Sequence, residues 1–99
     1  MQSAYAEQFE REMGCTEAEW LMWLPAAIGG HDWRLGVSQA RVEIGTGTLS
    51  LHWRTGEPRV IALVRLPRLH VSFQFEGLDA GDRLAFMKRF DLYMQRGGG

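Results

Sequence analysis

Three histidines (His31, His52 and His70), together with Asp32 and the lone cysteine Cys15, are the residues of this chain whose types suit metal binding. A zinc site needs three or four ligands converging at about 2.0–2.3 Å, and short ligand spacings usually announce it. The chain has no C-x2-C, no H-x3-H and no H-E-x-x-H. His52 and His70 fall on predicted strands two apart, too far to share one small ion without distortion. Solvated strand histidines account for the pattern, and neither a metal nor another cofactor is expected.

Cys15 paired with a histidine has the make-up of a nucleophilic couple. It sits between two predicted helices, however, with no catalytic signature around it. A small side chain filling an inter-helix gap explains it better. The acid pairs Glu10/Glu12 and Glu17/Glu19 are spaced i,i+2. On a helix that spacing points the two carboxylates apart, so a solvated face is the better account. Gly45-Thr46-Gly47 is followed by no Gly-Lys-Ser/Thr and opens no helix, which excludes a phosphate loop. The expectation is that the chain is not an enzyme.

Trp20, Trp23, Trp33 and Trp53 are many tryptophans for 99 residues. They suit an aromatic pocket, but also the core of a thin domain that needs large pieces. Arg41, Arg54, Arg65 and Arg68 would lie on one sheet face, as in sheets that bind single-stranded nucleic acid. The strand aromatics Phe73 and Phe75 share the parity of the opposite, helix-covered face, which leaves that arginine face without a stacking platform. The formal net charge of −1 also argues against binding by bulk electrostatics. Charge is unevenly placed: residues 1–49 hold three arginines against seven acids (−4), and residues 50–99 hold seven arginines and one lysine against five acids (+3). Such polarity can orient a partner or a second copy.

These residues are positioned by a sequence of alternating patterns. Tyr5, Phe9 and Met13, four apart, predict a helix over about 3–13, ended by Gly14. Thr16 with Glu19 three residues later forms a capping box for a second helix over about 17–28, with Pro25 stopping or kinking it. Its run Trp20-Leu21-Met22-Trp23-Leu24 is too apolar to face one way, so part of it would wait for a partner. Strands are predicted near 37–44, 48–54, 59–66 and 69–76. A parity switch at Gly36–Gln39 indicates a bulge or bend. Gly45-Thr46-Gly47 and Thr55-Gly56-Glu57-Pro58 read as hairpin turns. The third strand, with Val60-Ile61-Ala62-Leu63-Val64 apolar on both sides, is predicted to be central. Asp79 caps a last helix over about 80–95 carrying Phe86, Phe90 and Tyr93 inward.

The expected fold is therefore α+β: one domain over 1–99, a two-layer sandwich with a four-stranded antiparallel meander and its helices on one face. Residues 97–99 are expected to form a flexible glycine tail. A hydrophobic content of 45% excludes a disordered chain. One cysteine permits no intrachain disulfide, no apolar run approaches a membrane span, and no signal peptide is evident, so a cytoplasmic location and no membrane partner are expected. Ten arginines against one lysine suggest a GC-rich, bacterial source.

The expected role is a non-enzymatic interaction module, self-associating as a homodimer or binding a protein partner, with Trp20, Trp23, Ile61 and Leu63 as the interface. The first alternative is a binder of small or anionic ligands with a pocket between sheet and helices, its contacts drawn from Trp33, His52, Trp53, Arg54, Arg68 and His70. The second, less favoured, is single-stranded nucleic-acid binding through the arginine-rich face.

Overall fold

Two interleaved periods, 2 for strands and 3.6 for helices, are realised in nine elements among the described residues. The computed structural model of the chain describes residues 4–96. In order they are β1 (Gln8–Met13), α1 (Glu17–Ile28), β2 (Trp33–Leu35), β3 (Gln39–Ile44), β4 (Gly47–Thr55), β5 (Arg59–Ile61), β6 (Val64–Leu66), β7 (Leu69–Glu76) and α2 (Ala80–Arg96). The fold is α+β. Five strands form an antiparallel sheet in the order β1-β7-β4-β3-β2, while β5 and β6 pair only with each other. The predicted glycine tail at 97–99 lies outside the described residues.

One sheet face is built from alternate residues of each strand. Ala40, Val42, Ile44, Leu49, Leu51, Trp53, Leu69, Val71, Phe73 and Phe75 are all buried there, as the alternation predicts. α1 turns Trp20, Leu24, Ala27 and Ile28 into the core, an i, i+4, i+7, i+8 stripe, and leaves Met22 exposed. α2 contributes Phe86, Met87, Phe90 and Met94. Aromatic rings lock the layers together: Trp20 lies 5.6 Å from Trp53 and 5.9 Å from Phe90, and Phe73 meets Phe90 edge-on at 5.6 Å. The capping box forms as expected, with Thr16 Oγ1 accepting from the Glu19 amide and Glu19 Oε1 accepting from the Thr16 amide. Trp53 Nε1 donates to Glu17 Oε2 at 2.9 Å, which fixes the first turn of α1 over β4. Pro25 lies within α1, which runs on to Ile28 and closes at Gly29 (φ 76°).

Three expectations are corrected. The helix predicted over 3–13, whose first residue lies outside the described ones, does not form over 4–13: residues 8–13 form edge strand β1 against β7, in register from Gln8↔Gln74 to Met13↔Leu69. Phe9 and Met13 are four apart, a spacing that fits a helix face and a strand face equally. Arg11, at the strand-inward position between them, hid the period of two. The strand predicted near 37–44 is β3 (Gln39–Ile44), and the residues leading into it form a separate strand, β2 (Trp33–Leu35), since a turn closed by Gly36 N–H to Gln39 O at 2.7 Å folds β2 back on β3. That hairpin is the cause of the parity switch.

The third correction is the largest. The four-stranded meander with a central strand at 59–66 does not form, because β4 pairs directly with β7 from Thr48↔Glu76 to Thr55↔Leu69. Residues 59–66 instead make a separate two-stranded hairpin, held at its root by Gly56 N–H to Arg68 O at 2.9 Å.

Candidate functional site

The β5–β6 hairpin, called the arm below, carries five of the nine large hydrophobic residues that are exposed among the described residues. Its register pairs Arg59↔Leu66, Val60↔Arg65 and Ile61↔Val64. Residues directly opposite share a face, so Arg59, Ile61, Val64 and Leu66 form one side and Val60 and Arg65 the other. Ala62 and Leu63 make the tip, and Ala62 takes a left-handed conformation (φ 54°). Leu63 is 99% exposed, Ile61 55%, and Val60, Val64 and Leu66 are exposed as well. Globular surfaces seldom show so many large aliphatic groups side by side without a partner. Arg68 and Arg59 reach Glu12 of β1 at 3.2 and 3.8 Å, bracing the root against the sheet edge.

The uncovered sheet face is polar. Cross-strand rows run Gln8–Gln74–Ser50–Arg41–Arg34, Glu10–Ser72–His52–Gln39 and Glu12–His70–Arg54. Arg41 pairs with Glu43 at 3.3 Å. His52, Arg54, His70 and Glu10 border a shallow hollow of about 140 Å³, with Trp53 at its base. It offers donors and one carboxylate to a small polar ligand.

Of the residues expected at an interface, Ile61 and Leu63 are on the arm and exposed, Trp23 is half-buried on α1, and Trp20 is fully buried in the core. The ligand set divides between the two sheet faces. Trp33 and Trp53 lie on the helix-covered side, while His52, Arg54 and His70 lie on the open side and Arg68 braces the arm. A pocket between sheet and helices is therefore not built from them. Phe9, Trp53, Phe73 and Phe75 all occupy the covered face, so among the described strand residues the open face offers no Phe, Tyr or Trp on which bases could stack.

Cys15 is fully buried. Burial pushes its thiol pKa up, and the charge of Glu19 adds to this, which works against the thiolate a nucleophile requires. Among the described residues no group of three His, Cys, Asp or Glu side chains is placed to hold a metal ion. Nor is any described helix long and apolar enough to cross a membrane.

The arm was missed in the sequence because its tip, Ile61-Ala62-Leu63-Val64, carries none of the Gly, Asn or Asp that mark a two-residue hairpin turn. Pro58 and Pro67, with the eight residues Arg59–Leu66 between them, are the available signal: they bracket the segment that leaves the sheet. No protein family, no curated protein and no solved structure matches the chain.

Proposed function

We propose that the chain is a non-enzymatic interaction module that docks on a protein partner through the arm. The observation that carries this is the exposure of five large aliphatic side chains on a hairpin the rest of the fold does not cover. Moving one leucine side chain from water into an apolar groove contributes about 1.5–3 kcal/mol, so a cluster this size supplies a driving force for association. Arg59 and Arg65 on the arm carry positive charge with no acid between them. The matching surface is an apolar groove with an acidic rim.

The test places a photo-crosslinking benzoylphenylalanine at position 63, with position 88 on α2 as control, in cells of the source organism. A discrete protein adduct from position 63, absent from position 88 and lost when Arg59 and Arg65 are both changed to Glu, is the expected result. An adduct indifferent to that charge reversal, or none at all, would overturn the proposal. So would Leu63-dependent sedimentation of the purified chain with phosphatidylserine vesicles, since the arm's occupant would then be lipid.

A further inference from the structure

The sheet ends at β2, and the backbone there is open. Asp32 O accepts from Glu43 N–H at 2.8 Å and Gly36 N–H donates to Gln39 O at 2.7 Å. In an antiparallel ladder the backbone groups of alternate residues point to the same side. Those of Asp32, Arg34 and Gly36 therefore face β3, and those of Trp33 and Leu35 face outward at the free edge. An unpaired row of this kind is a template for another strand.

Charges on this edge are arranged in an unusual block. Asp32 stands opposite Glu43, and Arg34 stands directly opposite Arg41. Like charges in directly opposite positions are unfavourable. Arg41 and Glu43 relieve one another along β3, whereas Arg34 and Asp32 have no ion-pair partner among the described residues.

We propose that β2 pairs antiparallel with β2 of a second copy about a two-fold axis at Trp33, making one continuous ten-stranded sheet. In this register Trp33 exchanges both backbone hydrogen bonds with its own copy, as its outward N–H and C=O allow. Asp32 then falls opposite the partner's Arg34, and Arg34 opposite the partner's Asp32, in the closer, non-hydrogen-bonded positions. Each cross-dimer row then reads acid, acid, arginine, arginine, so every like-charged pair gains an opposite neighbour. On the helix-covered side, Trp33 meets the partner's Trp33 and Leu35, 54% exposed in one copy, meets the partner's His31.

Competing arrangements fail on charge. An axis at Arg34 would set Arg34 against the partner's Arg34, and an axis at Leu35 would leave Arg34 opposite a glycine. The other sheet edge, β1, presents Gln8, Glu10 and Glu12 on its open face, so a self-pairing centred on Glu10 sets acid against acid. The closed two-fold contact is isologous and does not propagate.

The inference uses residues other than the arm, and the experiment keeps the two apart. Sedimentation equilibrium of the full chain should give the mass of two 11.3 kDa copies, at a concentration of about 100 μM for an interface this small. Asp32→Arg and Arg34→Asp each place like charges opposite across the axis twice, and each should weaken the dimer by about tenfold or more. Within one copy both changes remove a like-charged pair, so circular dichroism should show the fold intact. The double variant Asp32→Arg/Arg34→Asp restores opposite charges in this register and should return dimerisation to within about threefold of the parent. Leu63→Asp should leave the dimer unchanged. A monomeric parent, single reversals that dimerise as well as the parent, or a double variant without rescue would each overturn the proposal.

Discussion

Arg11 Nη1 donates to Asp91 Oδ1 at 2.6 Å, tying edge strand β1 to the middle of α2 across the covered face of the sheet. The guanidinium lies over Phe9 and Phe73, 5.6 and 5.2 Å from their ring centroids. Tyr5 donates its hydroxyl to the other carboxylate oxygen of Asp91. A charged side chain thus occupies an inward strand position because an acid and two rings receive it.

Asp91→Asn removes the charge that both donors use. Arg11 and Asp91 are each about a quarter exposed (23% and 24%). Solvent screening therefore trims the loss to about 1–2 kcal/mol. Urea unfolding should show that loss for Asp91→Asn and a smaller one, about 0.5–1 kcal/mol, for Tyr5→Phe. If Asp91→Asn unfolded at the parent's urea midpoint, the strand would be held by packing alone.

The same cluster sets an alkaline limit. Burial raises the Tyr5 pKa above its usual value; the hydrogen bond to Asp91 and that carboxylate's charge add to the rise, while Arg11 opposes it. The folded state therefore holds this proton at pH values where the unfolded chain has released it. The contribution is fully present below about pH 10, where an unfolded tyrosine titrates, and is lost as pH rises from there through the folded value. In a series of unfolding curves from pH 8 to 11.5, the stability gap between parent and Tyr5→Phe should be constant up to about pH 10 and then shrink. A gap that stayed constant, or widened, would show that Tyr5 does not carry the effect.

Much of the two-layer core was legible in the sequence because alternation is a direct record of one-sided burial. Val42, Leu49, Leu51, Trp53, Val71, Phe73 and Phe75 could be assigned to the covered face from parity alone, and Thr16, Glu19 and Asp79 from cap chemistry. What was hidden depended on distant partners. Arg11 reads as a solvated helix residue until Asp91, eighty positions away, is brought beside it. The arm reads as a buried strand because apolar runs normally report burial, and this one is exposed. At the candidate site, Ile61 and Leu63 were found as residues lacking cover, although the physical reason differs: they leave the sheet rather than lie at its centre. The β2 edge carried no signal at all, since facing pairs such as Arg34 and Arg41 are defined only once the register is known.

Parity makes a sharp contrast at neighbouring positions. Val71 and Phe73 are buried against the helices, whereas Ser72 lies on the open face between Glu10 and His52. Val71→Asp or Phe73→Asp leaves an unpaired charge in the core, a cost of several kcal/mol that exceeds most of what a small domain has in reserve. Ser72→Asp keeps its charge in water and should change stability by about 0.5 kcal/mol or less. Thermal unfolding followed by circular dichroism distinguishes these outcomes. A cooperative transition for Val71→Asp near the parent temperature would mean that the assigned face is wrong.

The tip of the arm stores strain that a single atom group can release. Ala62 sits at φ 54° in a two-residue turn where the ladder closes at Ile61↔Val64. A turn with positive φ at its first central residue favours glycine there, and a left-handed alanine costs about 1 kcal/mol. Ala62→Gly should therefore firm the hairpin, and Ala62→Val should loosen it, because a β-branched side chain tolerates positive φ poorly. The arm stands apart from the core, so the effect should be local. Native-state hydrogen exchange should slow about fivefold at the β5–β6 ladder amides in Ala62→Gly, while the urea midpoint of the whole chain stays in place. A parallel change in global stability would show that the arm folds as one unit with the sheet, and unchanged ladder exchange would show that the turn is not under strain.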